Sequence, residues 1–181
     1  MTTRTHLLGG AVAAAAVIEF CLDRDPEALD VAAFTVSCLW GALLPDIDIP
    51  TSKMGQAFSP VSHTLFRTVG HRTVTHSLLI LVLLYFGVKY TPEGFQVYPF
   101  GVLVGWASHI LLDFLNRAGV PLLWPIKQRF WIFGIKSGTK NEWRFEGALW
   151  FVLIWRICVL IKTVFVPDLP EKIHLITNLW R

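Results

Sequence analysis

Residues 97–115 have the sequence VYPFGVLVGWASHILLDFL, which is apolar apart from a few side chains and ends in His109 and Asp113. A helix rises about 1.5 Å per residue, so about 20 residues cross the hydrocarbon core of a bilayer. His109 and Asp113 are four residues apart and share one helical face. The stretch predicts a membrane helix that offers an imidazole and a carboxylate to one metal ion, with an ion pair between the two as the alternative.

The composition of the whole chain also indicates a membrane protein. Of 181 residues, 54% are hydrophobic and 16% are charged, with a mean hydropathy of +0.53; soluble domains have about 25% charged residues. This composition excludes a disordered chain, a coiled coil and an ordinary basic nucleic-acid binder. We predict one membrane-embedded domain over residues 1–181 and expect no nucleic-acid partner.

Five apolar stretches are separated by charged and turn residues, and all of them predict helices: Leu7–Leu22, Val31–Leu44, Val74–Tyr90, Val97–Leu115 and Gly147–Val166. The fold class is therefore all-α, a polytopic membrane protein with four or five spans. Val31–Leu44 is short for a span, which favours a tilted, re-entrant or partly protein-buried helix. For the first stretch a signal peptide is the alternative, because Arg4 precedes an apolar run with small residues at 13–16.

Basic residues determine the expected orientation. Lys and Arg are concentrated near the N-terminus and in the two long polar segments, residues 45–73 and 116–146. Basic loops stay in the cytoplasm, so these segments should lie there and the C-terminus outside. Arg156 lies inside the last apolar stretch, where it can snorkel, pair with a carboxylate, or mark a helix lying along the interface.

Polar residues at the predicted cytoplasmic helix ends are mostly His and Asp: His6, Asp46, Asp48, His71, His76, His109 and Asp113. Each has a structural alternative, since a lone His can cap a helix and Asp46 and Asp48 can form a turn after Pro45. As a set, their burial in the membrane without partners would cost too much free energy for them to be incidental. An Asp at mid-bilayer costs about 3 kcal/mol, whereas a bound metal ion returns about 10 kcal/mol or more.

The ligand types predict which metal binds. Mixed imidazole and carboxylate ligation suits zinc, manganese or iron better than calcium or magnesium, and we expect zinc. Four His and three Asp exceed the three or four protein ligands that one zinc ion usually takes. The sequence therefore predicts a site for two ions.

Several short motifs together resemble one family. They are Thr5-His6-Leu7-Leu8, Leu43-Leu44-Pro45-Asp46-Ile47-Asp48, Gly70-His71-Arg72 with Thr75-His76-Ser77, Ser108-His109 with Asp113, and Ala118-Gly119-Val120-Pro121-Leu122-Leu123-Trp124-Pro125. This combination closely resembles the YdjM family of bacterial inner-membrane proteins, described as membrane-bound metal-dependent hydrolases. The resemblance covers about residues 5 to 150 and implies the seven His and Asp ligands named above. It also suggests a distant similarity to zinc-dependent phospholipase C-like enzymes.

Two metal ions about 3.5 to 4 Å apart suit in-line displacement at phosphorus, so we expect a phosphoester hydrolase. Asp48 would bridge the ions or act as general base. Arg72 would clamp a phosphate bidentately or serve as a cytoplasmic topology determinant. Glu142 would be a base, an eighth ligand or, preferentially, a solvated loop carboxylate. The competing hypothesis is a non-enzymatic membrane protein that binds metal or transports ions or protons through the same residues.

The segment Trp124–Phe145 interleaves aromatic and basic residues. Such a segment can stack nucleic-acid bases, but beside membrane helices it favours an interfacial belt among anionic lipids. Membrane lipids are therefore the expected partners, and a phospholipid or lipid-linked phosphate the expected substrate.

Two remaining features concern packing. Gly101 and Gly105 fit a small-xxx-small helix contact, either within the chain or between two chains of an oligomer. We expect Cys21, Cys38 and Cys158 to be packing residues, and His63 and His174 to be surface residues.

Overall fold

The computed structural model describes residues 1–21, 27–70 and 72–165. Over these ranges the chain is helical: α1 (Thr3–Cys21), α2 (Ala28–Gly41), α3 (Lys53–Ala57), α4 (Ser59–Thr68), α5 (Leu78–Tyr90), α6 (Val97–Leu115) and α7 (Lys140–Phe165). Short 3-10 turns follow α2 at Leu44–Asp48 and precede α5 at Val74–His76. The predicted all-α class is confirmed.

A long helix overlaps each predicted apolar stretch, and α6 has the predicted limits. Helices α1, α2 and α7 begin three to seven residues earlier than predicted. The helix predicted from Val74 begins at Leu78, because residues 74–76 form a 3-10 turn. Helices α3 and α4 lie in a segment predicted only as polar. By length and apolar composition, two segments among the described residues qualify as membrane spans: Ala28–Asp48 and Val97–Leu115.

The helices run alternately toward and away from one end of the molecule. His6 lies near the start of α1, Asp46 follows α2, His76 precedes α5, and His109 lies in the last two turns of α6. These four residues come together in space. The start of α7 joins the same end, since Glu142 contacts Thr2 at the head of α1.

Helices α2 and α6 pack closely through glycine. A Cβ atom at Gly101 would lie 2.7 Å from the carbonyl oxygen of Phe34, and one at Gly105 would overlap the carbonyl of Cys38. The small-residue contact is therefore made within the chain. Phe34 and Cys38 are fully buried here, so Cys38 is a packing residue as predicted. Cys158 is exposed on α7, so the same prediction was wrong for it.

Arg156 pairs with a carboxylate, one of the predicted alternatives. Its Nη1 lies 2.5 Å from Oε2 of Glu19, which joins α7 to α1. The guanidinium also lies over the rings of Phe20 and Trp155, with distances of 4.9 and 5.1 Å to their centroids. The pair satisfies a charge that would be costly inside a membrane helix.

The Gly105 contact makes a stability prediction. Gly105→Leu should destabilise the protein by about 1–3 kcal/mol or more, because the side chain would enter the backbone of α2. Gly87→Leu on α5 is the matched control, since nothing lies within 4 Å of a Cβ there. Thermal unfolding in detergent measures both, and equal midpoints for the two variants would contradict the assigned α2–α6 packing.

Candidate metal centre

Five of the predicted ligands form one cluster: His6, Asp46, His76, His109 and Asp113. Their ligand atoms fall into two groups, each with all atoms within 4.8 Å of one another: His6, Asp46 and His109; and His76, His109 and Asp113. His109 belongs to both groups. All five except Asp46 are buried, and the Asp46 side chain is 19% exposed. His71 and His174 lie outside the described residues, and His63 is exposed on α4 as predicted.

His109 is the centre of the cluster. Its Nε2 lies 3.2 Å from Nε2 of His76, 3.7 Å from Oδ1 of Asp46 and 3.9 Å from Oδ2 of Asp113. The ring of His6 stacks on that of His109, with centroids 3.7 Å apart. Nε2 of His6 lies 3.5 Å from Oδ1 of Asp113. Nitrogen and carboxylate oxygen atoms thus converge on one small volume.

The hydrogen bonds behind the rings fix where the imidazole protons lie. Nδ1 of His109 lies 2.7 Å from the carbonyl oxygen of Ala42, so it must donate to it. The Thr75 hydroxyl donates to Asp48 at 2.6 Å. It therefore accepts from Nδ1 of His76, 2.9 Å away. In the neutral rings, both Nε2 atoms then carry lone pairs that face each other.

Two facing lone pairs beside two carboxylates repel one another unless a cation lies among them. A tetrahedral zinc ion holds nitrogen ligands at about 2.0–2.1 Å, which places them about 3.4 Å apart. The observed 3.2 Å separation of the two Nε2 atoms fits this spacing. Nδ1 of His6 is also buried without a hydrogen-bond partner among the described residues. The donor set therefore fits a metal ion.

Asp48 lies behind His76 rather than in either ligand group of the described residues. Its Oδ2 accepts hydrogen bonds from the Thr75 hydroxyl at 2.6 Å and from the Arg72 N–H at 2.9 Å. It lies 3.6 Å from Nδ1 of His76. Carboxylates in this position orient a metal-binding imidazole. Whether Asp48 also ligates or bridges metal ions stays a prediction.

Arg72 contacts the cluster directly. Its Nη2 lies 2.7 Å from Oδ2 of Asp113, and the Met1 amino group lies 2.6 Å from Oδ1 of the same residue. Arg72 has a positive φ of 52°, a conformation that costs energy for a residue with a side chain. Its Nε and Nη1 are buried without hydrogen-bond partners among the described residues. These two donors are available to an anion.

Glu142 is buried in the first turn of α7, so its preferred assignment as a solvated loop carboxylate was wrong. Burial alone would raise its pKa, but the N–H groups of Gly138 and Thr2 and the Thr5 hydroxyl bond to it and hold the pKa below its usual range. Since Thr5 precedes His6, Glu142 fixes the start of the helix that carries a ligand. Its assignment as a base or eighth ligand stays a prediction.

Neither Thr75 nor the Ala42 carbonyl was predicted from the sequence to position a ligand. Thr75 is buried between Asp48 and His76 and bonds to both. Its place directly before His76 was the available signal. The Ala42 carbonyl had none, because its contact with His109 depends on how α2 packs against α6.

Comparison with known proteins identifies the family. A profile of the YdjM inner membrane protein family matches residues 1–169. The chain belongs to the YdjM family. No solved structure matches this YdjM-family chain.

Two relatives illustrate the range of similarity. Inner membrane protein YdjM of Escherichia coli (strain K12) is 46% identical over 99 residues, which cover 52% of this chain and 50% of that protein. The chain thus spans about half the length of this relative. YvsG of Bacillus subtilis (strain 168) is 33% identical over 145 residues, or 78% of this chain and 85% of YvsG. The chain is a membrane protein of the YdjM family, and its buried His and Asp groups can hold a metal ion.

The cluster predicts a metal content that depends on His109. Purified wild-type protein should retain about one zinc ion per chain or more, and His109→Ala and Asp113→Ala should lose most of it. His63→Ala is the matched control, since His63 is exposed on α4. Elemental analysis after dialysis measures the content, and equal, substoichiometric metal in all four proteins would contradict the site.

The bond from Thr75 to His76 predicts a smaller effect. Thr75→Val removes the hydroxyl that links Asp48 to His76, and should weaken zinc binding about 10- to 100-fold. Thr75→Ser keeps the hydroxyl and should bind like the wild type. Competition with a chromogenic chelator measures the affinities. Identical affinities for the Val and Ser variants would show that this link does not orient His76.

Proposed function

We propose that the chain is a metal-dependent phosphoester hydrolase of the bacterial inner membrane, with zinc as its metal. The observation that carries the proposal is the arrangement around His109. Two imidazole lone pairs and two carboxylates converge on one buried point, and the free Nε and Nη1 donors of Arg72 lie beside it. Cation-binding groups and phosphate-binding donors are thus adjacent.

The residues divide the chemistry between them. His6, His76, His109 and Asp113 would hold the metal, and Asp46 of the same cluster would act on the water. A bound zinc ion stabilises negative charge on a phosphoryl group and lowers the pKa of water toward about 7. Arg72 would bind a phosphate oxygen through Nε and Nη1, held in place by its bonds to Asp48 and Asp113.

Asp46 is the carboxylate of the cluster that solvent reaches, with its side chain 19% exposed, whereas Asp48 is 1% exposed. We assign the acceptance of the water proton to Asp46 and an orienting role to Asp48.

Two ions were predicted from the number of ligands. Nδ1 of His109 is bonded to the Ala42 carbonyl, so His109 can ligate one ion through Nε2. A second ion would need ligands from the rest of the set.

The proposed topology has five spans with the cluster at the cytoplasmic face. It is supported by the alternating long helices, which bring the five clustered ligands to one end of the molecule, and by the basic residues of the segments at that end. At the other end of α1, Glu19 is paired with Arg156. A paired carboxylate there supports the hydrolase over a proton relay through the bilayer.

A phospholipid or lipid-linked phosphate is the proposed substrate class. A cavity of about 600 Å³ lies between α1, α2 and α7, and apolar side chains line most of it together with Arg4 and Glu146. Leu7, Leu8, Leu39 and Trp150 are among the residues that line it. Its apolar side chains suit an acyl chain, and the proposal places the phosphate of that lipid at the metal.

Turnover of short-chain phospholipids tests this function. Zinc-loaded protein in detergent should release a new phosphorus species from dihexanoyl phosphatidic acid or phosphatidylglycerol, observed by phosphorus NMR. His109→Ala should lose at least about 100-fold in rate because it removes a ligand, and Arg72→Gln should lose about 10- to 100-fold because it removes phosphate donors. His63→Ala should keep the wild-type rate.

Full zinc occupancy without turnover of either lipid would contradict the hydrolase. That result would favour a non-enzymatic metal-binding protein of the membrane.

A further inference from the structure

The loop between α6 and α7 is held in shape by backbone hydrogen bonds. The Arg117 N–H donates to the Ile135 carbonyl at 3.0 Å, and the Ile135 N–H donates to the Leu115 carbonyl at 3.0 Å. Val120 and Phe130 exchange two further bonds, of 3.0 and 2.9 Å. These bonds place residue 117 beside residues 135 and 136 on a fixed backbone.

This arrangement forms a cavity of about 450 Å³ lined by Asn116, Arg117, Ala118, Lys136 and Ser137. We call it the basic cavity. It contains two cationic side chains, and no carboxylate among the described residues pairs with either of them. The cavity is open, and the side chains of Arg117 and Lys136 are exposed at it. Solvent weakens their mutual repulsion, and an anion bound between them would be attracted by both.

The neutral side chains of the basic cavity also favour an anion. Nδ2 of Asn116 donates to the Ser137 hydroxyl oxygen at 2.7 Å, and Oδ1 of Asn116 accepts from the Ala118 N–H. Because Ser137 accepts the Asn116 bond, its own proton is available to a ligand. A guanidinium, an ammonium and a hydroxyl donor together suit a phosphoryl group.

The surrounding surface indicates where that phosphoryl group comes from. On the same loop, Trp131, Ile132 and Phe133 are 54, 55 and 74% exposed. Exposed apolar and aromatic side chains beside cations are typical of segments that lie in the interface of an anionic membrane. A phosphate carried by a lipid would let both sets of side chains bind at once.

We propose that Arg117, Lys136 and Ser137 bind the phosphoryl group of an anionic phospholipid, at a second site that shares no residue with the metal centre. The site anchors the α6–α7 loop to the lipid interface. It requires no hydrolysis, so it stands or fails separately from the proposed enzyme activity.

Ligand-induced thermal stabilisation of the full chain in detergent tests the site. The probes are water-soluble dihexanoyl phosphatidylglycerol, dihexanoyl phosphatidylcholine and inorganic phosphate, with phosphorus NMR confirming that each stays intact. Phosphatidylglycerol should raise the unfolding midpoint in a concentration-dependent way. The double variant Arg117→Gln with Lys136→Gln should raise the apparent Kd at least about tenfold, because it removes two charged donors.

The matched control is Lys53→Gln with Arg67→Gln, which removes the same charges from exposed positions on α3 and α4, and it should bind like the wild type. Circular dichroism without lipid checks that both double variants are folded.

Three results would overturn the site, and a fourth would overturn the lipid as its ligand. The three are an unchanged Kd in the Arg117 and Lys136 variant, equal weakening in the control, or equal stabilisation by phosphatidylcholine. If inorganic phosphate alone gives the full shift and phosphatidylglycerol adds nothing, the lipid headgroup is overturned as the source.

Discussion

The 3.2 Å contact between Nε2 of His76 and Nε2 of His109 constrains the rest of this structure. When both rings are neutral, their hydrogen bonds to Ala42 and Thr75 leave both Nε2 lone pairs directed at a volume that Asp46 and Asp113 also face. Such an arrangement is unfavourable without a cation, and unpaired carboxylates in a membrane protein add to the cost. A metal ion would turn the same arrangement into a source of stability.

The packing of the helices positions the groups around His109. The Ala42 carbonyl reaches His109 because α2 lies against α6, and the two helices approach closely because Gly101 and Gly105 have no side chains. Glu142 holds the start of α1 against α7 and thereby fixes Thr5, the residue before His6. The fold and the site therefore depend on the same contacts.

Much of this follows from the sequence. Apolar stretches bounded by charges gave the long helices, because burial in lipid requires such runs. The spacing of His109 and Asp113 put two ligands on one face. Asp48 and Glu142 were harder to assign, because a carboxylate that ligates and one that orients a ligand look alike in sequence. Their neighbours in space, Thr75 for Asp48 and Gly138 for Glu142, could not be read from the sequence. The short helices α3 and α4 were missed because their segment lacks a long apolar run.

X-ray absorption at the zinc edge, on the full chain loaded with zinc in detergent, tests the central claim most directly. The cluster predicts nitrogen and oxygen ligands at about 2.0–2.2 Å, with no sulfur ligand at about 2.3 Å. Multiple scattering from imidazole rings should be present in the wild type and reduced in His109→Ala. A sulfur-ligated zinc, or a spectrum that His109→Ala leaves unchanged, would contradict a metal centre built around His109.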